Sequence, residues 1–139
     1  MTFETITYAE DGPVGIITLN RPDDGNMFTA TTCHELRDCI EAARRETRTR
    51  VLVLTGAGER FFCIGGRKDG MEDTTLYAGT LPTLEMYEAI EKCQKPVIAS
   101  VNGFSVVAGP VKQMVSDVTI AQQNAVSRPV GPLIDTSDA

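Results

Sequence analysis

Metal-ligating residues are scarce in this sequence. It has one histidine, and no two of its cysteines stand in C-x-x-C spacing. Zinc sites are built from such close sets of cysteine and histidine, so the sequence predicts no metal site. We expect the thiols to be reduced and to pack as small apolar side chains. The four cysteines are Cys33, Cys39, Cys63 and Cys93.

An excess of positive charge and long apolar runs are also missing. The formal net charge is −6, so the chain lacks the basic face that general nucleic-acid binding needs. No apolar stretch approaches the roughly 20 residues of a membrane span, and residues 1–4 do not start like a signal peptide. We therefore expect a cytoplasmic protein with no nucleic-acid partner and no membrane partner. Its length of 139 residues suits one domain.

Strand and helix patterns alternate along the chain. Apolar runs and apolar–polar alternation predict strands at residues 3–8, 14–20, 51–55, 97–101 and 118–121. Helical spacing and start signals predict helices at residues 32–46, 82–93 and 109–116. Thr32 and Glu35 fit a capping box for the first helix, and residues 67–79 predict a long loop. This alternation predicts an α/β fold with a mostly parallel sheet.

Glycines follow the third and the fourth predicted strand. The third strand leads to the pair Gly65-Gly66, and the fourth leads through Gly103 to the segment Val107-Ala108-Gly109. Ligands of parallel sheets bind at the carboxyl ends of the strands. Two such junctions on neighbouring units could supply two backbone N–H donors to one oxygen, which is an oxyanion hole.

Two other motifs favour ordinary structure over a site. The segment Gly56-Ala57-Gly58 lacks the third glycine of a dinucleotide-binding turn. Residues 103–107 half-resemble a nucleophile elbow, but the closing glycine is missing. His34 also precedes Ser105, which is the wrong order for an α/β-hydrolase triad.

Several segments then follow one another in a specific order. They are Ile17-Thr18-Leu19-Asn20-Arg21-Pro22, Asn26, Leu52-Val53-Leu54-Thr55-Gly56, Phe62-Cys63-Ile64-Gly65-Gly66 and Lys95-Pro96-Val97-Ile98-Ala99-Ser100-Val101-Asn102-Gly103. Together they resemble the crotonase (enoyl-CoA hydratase/isomerase) superfamily over nearly the whole chain. The resemblance implies a ββα spiral. Because members are longer, it also implies an incomplete core domain over residues 1–139, truncated before the C-terminal helical region.

The resemblance also implies a substrate. Members bind acyl-CoA thioesters, so coenzyme A would enter as part of the substrate, with no permanently bound cofactor. The enolate oxygen would rest on the backbone N–H groups of Gly66 and Ala108. Acyl-CoA contacts are expected from Asn26, Met27, Cys63, Ile64, Gly65, Lys68 and Thr136. A homo-oligomer, a trimer or hexamer, is expected if the missing region is supplied.

The acid–base residues resemble one branch of the superfamily. Plain hydratases use two glutamates, whose positions correspond to Val111 and Gly131 here. Neither residue is acidic, so simple hydration of an enoyl-CoA is not expected. The branch that includes 1,4-dihydroxy-2-naphthoyl-CoA synthase and 2-ketocyclohexanecarboxyl-CoA hydrolase fits better, on the segments Val130-Gly131-Pro132 and Thr136-Ser137-Asp138. It implies hydrolytic C–C cleavage, or closure, of a cyclic β-ketoacyl-CoA. Asp138 would activate water in the space left at Gly131, and Tyr77 would transfer a proton.

Departures from the family pattern keep a second function open. Val107-Ala108-Gly109 stands where members carry three glycines, and Arg67 replaces a usual aspartate. The alternative is therefore a truncated or degenerate crotonase without catalysis. Such a chain would act as an acyl-CoA-binding or assembly module.

Overall fold

The computed structural model describes residues 2–64, 82–107, 118–121 and 127–129. Its strands in chain order are β1 (Ile6–Asp11), β2 (Val14–Leu19), β3 (Val51–Gly56), β4 (Phe61–Cys63), β5 (Val97–Val101), β6 (Phe104–Val107), β7 (Val118–Ala121) and β8 (Ser127–Pro129). Its α-helices are α1 (Ala30–Arg45) and α2 (Pro82–Glu91), and a short 3-10 turn spans Pro22–Asp24.

The strands form two sheets. One has five strands in the order β1-β2-β3-β5-β7, and the other has three in the order β4-β6-β8. The β1–β2 hairpin is antiparallel, whereas every other described pairing is parallel. From β3 onward, consecutive strands go alternately to the large and the small sheet. The expected α/β spiral with a mostly parallel sheet is therefore confirmed.

Helix α1 buries one apolar face against the large sheet and α2. The residues of that face recur every three or four positions and include Cys33, Leu36, Cys39, Ile40 and Ala43. From the facing elements, Leu52, Leu54, Met86 and Cys93 join the same core. All four cysteines are buried and reduced, as the sequence predicted.

The start of α1 differs from the prediction. The capping box is formed by Thr29 and Thr32, whose side chains each bond the other's backbone N–H at 3.2 Å. Thr29 has the extended backbone that an N-cap requires. Glu35 is not the capping partner. Its carboxylate instead accepts the backbone N–H groups of Glu4, at 2.6 Å, and Thr5, at 2.8 Å, so it fastens the N-terminal segment to α1.

The small sheet was not predicted from the sequence. Segment 103–107, which half-resembled a nucleophile elbow, holds β6, and Ser105 is buried within this strand. The first strand begins at Ile6 rather than at residue 3. The predicted helix at 109–116 and the loop at 67–79 lie outside the described residues. Among the helices that are described, none is long and apolar enough to cross a membrane.

Candidate active site

Three parallel strands end beside one another at one edge of the large sheet. Leu19 of β2 is paired with Gly56 of β3, and β3 is paired in turn with β5. The loops that leave these ends meet the first residue of β4, Phe61. Side-chain amides join the three loops there, so the start of the small sheet is built on the carboxyl ends of the large one.

Asn26 makes the first of these connections. Its side chain is buried, with 1% exposed. Its Oδ1 accepts the N–H of Arg21 at 2.8 Å, and its Nδ2 donates to the carbonyls of Ala57 at 3.1 Å and Phe61 at 2.9 Å. Both amide hydrogens are therefore used within the protein. The backbone is left-handed at φ 55°, a conformation that asparagine tolerates better than most residues.

Asn102, directly after β5, makes the second connection. Its Oδ1 accepts the N–H of Gly56 at 3.0 Å. Its Nδ2 donates to the carbonyls of Gly58 at 2.9 Å and Phe61 at 3.2 Å. The Phe61 carbonyl consequently accepts one hydrogen bond from each asparagine.

Two glycines permit this close arrangement. A Cβ at Gly56 would lie 2.6 Å from the oxygen of Phe62 and 2.9 Å from the oxygen of Phe61. A Cβ at Gly103 would lie 2.6 Å from the oxygen of Arg60. These are main-chain atoms, so a side chain at either position would displace the strand. The glycine that ends β3 and the glycine that follows β5 are thus explained by the approach of the backbone of residues 60–62.

The exit of β4 is held by the same loop that carries Asn26. The N–H of Ile64 donates to the carbonyl of Gly25 at 3.1 Å. Gly25 is left-handed at φ 65°, and a Cβ there would lie 2.5 Å from Cδ1 of Ile64. The loop after β2 therefore packs directly on the residue that precedes Gly65.

Strands β4 and β6 run side by side in the same direction. Phe61 is paired with Phe104 and Cys63 with Ser105, with a register irregularity between the two pairs. The two glycine-containing segments noted in the sequence follow these two strands. The carboxyl ends of β4 and β6 thus lie at the same edge of the small sheet.

Of the residues expected to contact the substrate, the structure describes four. Asn26 and Cys63 are buried, and Met27 and Ile64 are half-buried. The loop of Gly25 and Asn26 contacts the β4 segment directly. The other expected site residues lie outside the described residues: Gly65, Gly66, Lys68, Tyr77, Ala108, Gly131, Thr136 and Asp138.

The ionisable side chains packed near β4 have the raised pKa values of buried core groups. Burial, together with a smaller effect of the neighbouring Cys63, raises the pKa of Cys33 from 9.0 to about 12. Burial likewise raises the pKa of Tyr87 to about 12. These groups stay neutral at physiological pH. Over the described ranges, no three His, Cys, Asp or Glu side chains come together as a group that could hold a metal ion.

Comparison with known proteins decides the family. Residues 9–132 match the family model of the enoyl-CoA hydratases/isomerases. The chain belongs to the enoyl-CoA hydratase/isomerase family. The two-sheet architecture described above agrees with that membership, because solved members have the same fold.

Solved relatives of this family superpose well. An enoyl-CoA hydratase from Bacillus anthracis is 28% identical, with a TM-score of 0.78, and covers 91% of this chain. An enoyl-CoA hydratase/isomerase from Mycobacterium paratuberculosis is 33% identical, with a TM-score of 0.67 and 92% coverage. DspI of Pseudomonas aeruginosa is 26% identical, with a TM-score of 0.76 and 90% coverage. The alignments include 50%, 49% and 52% of these relatives, so the chain spans about half their length.

Sequence reasoning missed Asn102, Gly56 and Gly103 as a connected group in this family member. Each was visible as a turn residue that follows a strand. Nothing in the sequence indicated that all three contact the backbone of residues 60–62, because that contact depends on the small sheet.

Proposed function

We propose that this chain contains part of the active site of an acyl-CoA enzyme that stabilises a thioester enolate. The observation that supports this most is the pairing of β4 with β6. Cys63 lies opposite Ser105, and Gly66 and Ala108 each follow three positions later in the sequence. Continuing the register would bring these two residues opposite each other, as two donors to one oxygen require.

The chemistry suits backbone donors. When a base removes a proton next to a thioester carbonyl, or when a neighbouring C–C bond breaks, negative charge moves onto the thioester oxygen. Two preorganised N–H groups in a water-excluded site stabilise that charge more in the transition state than in the ground state. Removal of one such donor in other enzymes lowers turnover about 100-fold or more.

The finer proposal is hydrolytic C–C cleavage, or closure, of a cyclic β-ketoacyl-CoA. Asp138 would deprotonate a water in the space left by Gly131, and the resulting hydroxide would attack the ring ketone. The bond between that carbon and the carbon next to the thioester would break, leaving its electron pair as the enolate. Tyr77 would then deliver a proton to that carbon. The support is the sequence resemblance to the 1,4-dihydroxy-2-naphthoyl-CoA synthase branch.

The proposed substrate contacts differ in the kind of group that each residue can offer to the acyl-CoA. Asn26 has both side-chain donors occupied, so it would contribute by shaping its loop. Met27, Ile64 and the backbone of Gly65 would line the acyl-CoA site, with Cys63 behind them and Lys68 and Thr136 adding polar contacts. A cytoplasmic homo-oligomer, trimeric or hexameric, is proposed on the same resemblance.

A panel of enoyl-CoA and β-ketoacyl-CoA esters, read by mass spectrometry, tests the function. We expect turnover of a cyclic β-ketoacyl-CoA, and a loss of at least ~100-fold in Tyr77→Phe and in Asp138→Asn. Asp38→Asn, an exposed change on α1, is the matched control and should keep normal turnover. Normal turnover in either site variant would remove that residue from the mechanism.

An acyl-CoA-binding or assembly module without catalysis is the second candidate. It is favoured by the segment Val107-Ala108-Gly109, which stands where members carry three glycines. Binding of the same esters without any product would select this function over the enzyme.

A further inference from the structure

Two asparagines converge on one main-chain carbonyl at the start of β4. The Phe61 oxygen accepts Nδ2 of Asn26 at 2.9 Å and Nδ2 of Asn102 at 3.2 Å. Each asparagine also accepts one backbone N–H and donates to one further carbonyl, that of Ala57 or Gly58. Two loops, which follow the strands on either side of β3 in the large sheet, thus make equivalent contacts with the same atom.

We propose that Asn26 and Asn102 are positioning residues for the oxyanion site. Together they fix the Phe61 carbonyl, and through it the course of β4 relative to β6. This inference rests on the function proposed above, because the asparagines act only by positioning the proposed oxyanion donors. They have no contact with the substrate. The inference goes beyond that function in naming what sets the spacing of the two strands from which the donors emerge.

The hydrogen bonding explains why two donors are needed. A carbonyl oxygen accepts two hydrogen bonds, and donors from two directions leave it little freedom to tilt. The β4–β6 register is irregular just after Phe61, so the ladder alone does not define the strand's path. The amide side chains supply the constraint that the short strand lacks.

The surrounding backbone leaves no space for β4 to take another position. Gly56 and Gly103 sit at a distance from residues 60–62 that excludes even a methyl group. Asn26 holds a left-handed backbone at 1% exposure, which persists only when neighbouring contacts determine it. The two amides and two glycines therefore position β4 on several sides.

The deciding experiment uses acetoacetyl-CoA, whose enolate absorbs in the ultraviolet. On the wild-type chain we expect binding with formation of the enolate, because an oxyanion site lowers the apparent pKa of the bound ester. In Asn26→Ala and Asn102→Ala we expect the dissociation constant to stay within ~3-fold. The enolate-to-keto ratio at fixed pH should fall about tenfold, which corresponds to one pKa unit.

Asn20→Ala is the matched control. Asn20 lies in the same loop as Asn26 but is exposed, so its loss should leave both the dissociation constant and the enolate ratio unchanged. A double variant of Asn26 and Asn102 should lose less than the product of the single losses, since both act on one carbonyl. Fully multiplicative losses would contradict the shared action.

Asn102→Asp keeps the test decisive if the alanine variants do not fold. Above the pKa of the new carboxyl, the carboxylate cannot donate to Phe61. Below it, the protonated acid can donate one hydrogen bond. The enolate ratio relative to wild type should therefore recover as pH falls, a dependence that the loss of packing alone would not produce.

The outcomes separate the two proposals. If wild type does not form the enolate, the proposed function fails, and the positioning role fails with it. If wild type forms the enolate and the asparagine variants form it equally well, the function stands and the positioning role is overturned. Loss of enolate with retained binding, and recovery of Asn102→Asp at low pH, supports both.

Discussion

Gly103 shows how strictly a single position can be determined by a neighbouring backbone. A Cβ there would lie 2.6 Å from the oxygen and 2.7 Å from the carbon of the Arg60 carbonyl. Because the main chain cannot rotate away, Gly103→Ala must shift β4 or β5. We expect the free energy of unfolding to fall by about 2 kcal/mol, measured by urea denaturation.

Gly15→Ala is the control for that substitution. A Cβ at Gly15 would meet Oη of Tyr8 at 2.5 Å and Cδ2 of Leu52 at 2.9 Å, which are the ends of side chains that can turn. Its cost should be smaller, about 1 kcal/mol. Equal losses at the two glycines would show that the Arg60 backbone can yield.

Glu35 offers a second test at a single residue. Its carboxylate accepts the N–H of Thr5 at 2.8 Å, the hydroxyl of Thr5 at 2.6 Å and the N–H of Glu4 at 2.6 Å. In Glu35→Gln one acceptor oxygen becomes an NH2 group that faces a donor. We expect a loss of about 1–2 kcal/mol in the free energy of unfolding.

Asp38→Asn provides the comparison for Glu35. Asp38 is exposed and pairs only with Arg37 among the described residues, so its change should stay within about 0.5 kcal/mol. Thermal unfolding of both variants in one buffer measures the difference. A similar loss in both would mean that net charge on α1, rather than the fastening of the N-terminus, governs the effect.

The buried thiols predict a dependence on alkaline pH. Burial raises the pKa of Cys33 and Cys39 from 9.0 to about 12 in the folded chain. These thiols therefore ionise first in the unfolded chain. The stability that the two neutral thiols contribute is fully present below pH 9 and is lost as the pH rises toward 12. Unfolding free energies between pH 8 and 11 should fall more steeply for wild type than for a Cys33→Ala, Cys39→Ala double variant.

At the scale of elements, Lys95 ends helix α1. Its Nζ donates to the carbonyls of Ala43 and Glu46, both at 2.7 Å, although it lies about fifty positions further along the chain. A cation there donates hydrogen bonds to the carbonyls at the end of the helix and interacts favourably with the negative end of the helix dipole. Lys95→Met should cost about 1–2 kcal/mol and increase hydrogen exchange in the last turn of α1.

Lys92→Met is the matched control for this cap. Lys92 is exposed near the end of α2, and its substitution should change the free energy of unfolding by less than about 0.5 kcal/mol. Unchanged exchange in α1 after Lys95→Met would show that the carbonyls are as well satisfied by water.

Element type followed from the sequence wherever the segment was long enough to show a period. The predicted bounds of β5 and β7 match the structure, and the hairpin of β1 and β2 is confirmed. Strands β4 and β8 have three residues each, which is too short for an alternation to be recognised. The cap of α1 was misplaced because only Thr32, with Glu35 three residues later, fits the usual capping-box pattern, whereas the structure uses Thr29 with Thr32.

At the scale of the whole molecule, family and fold could be predicted from sequence because several motifs occur in a fixed order. The connections at the candidate site could not. Asn26 appeared as a substrate contact, yet its amide joins three backbone segments that are brought together only by the two-sheet arrangement. The roles of Tyr77 and Asp138 stay predictions.

Ligand linkage tests the molecule as a unit. A CoA ester that binds only the folded chain stabilises it by about 2.7 kcal/mol at 100 times the dissociation constant. We expect acetoacetyl-CoA at that concentration to raise the unfolding midpoint by several degrees, followed by scanning calorimetry. ATP at the same concentration, which lacks the thioester, should raise it less; an equal rise would indicate nucleotide binding alone.

The contacts at the Phe61 carbonyl also bear on the order of folding events. They join residues 35 and 41 positions apart, whereas the β1–β2 hairpin pairs neighbours in sequence. Closing such loops costs chain entropy before any contact forms, so the two amides should dock after the hairpin has formed. Substitution of either asparagine should then speed unfolding and leave the refolding rate nearly unchanged.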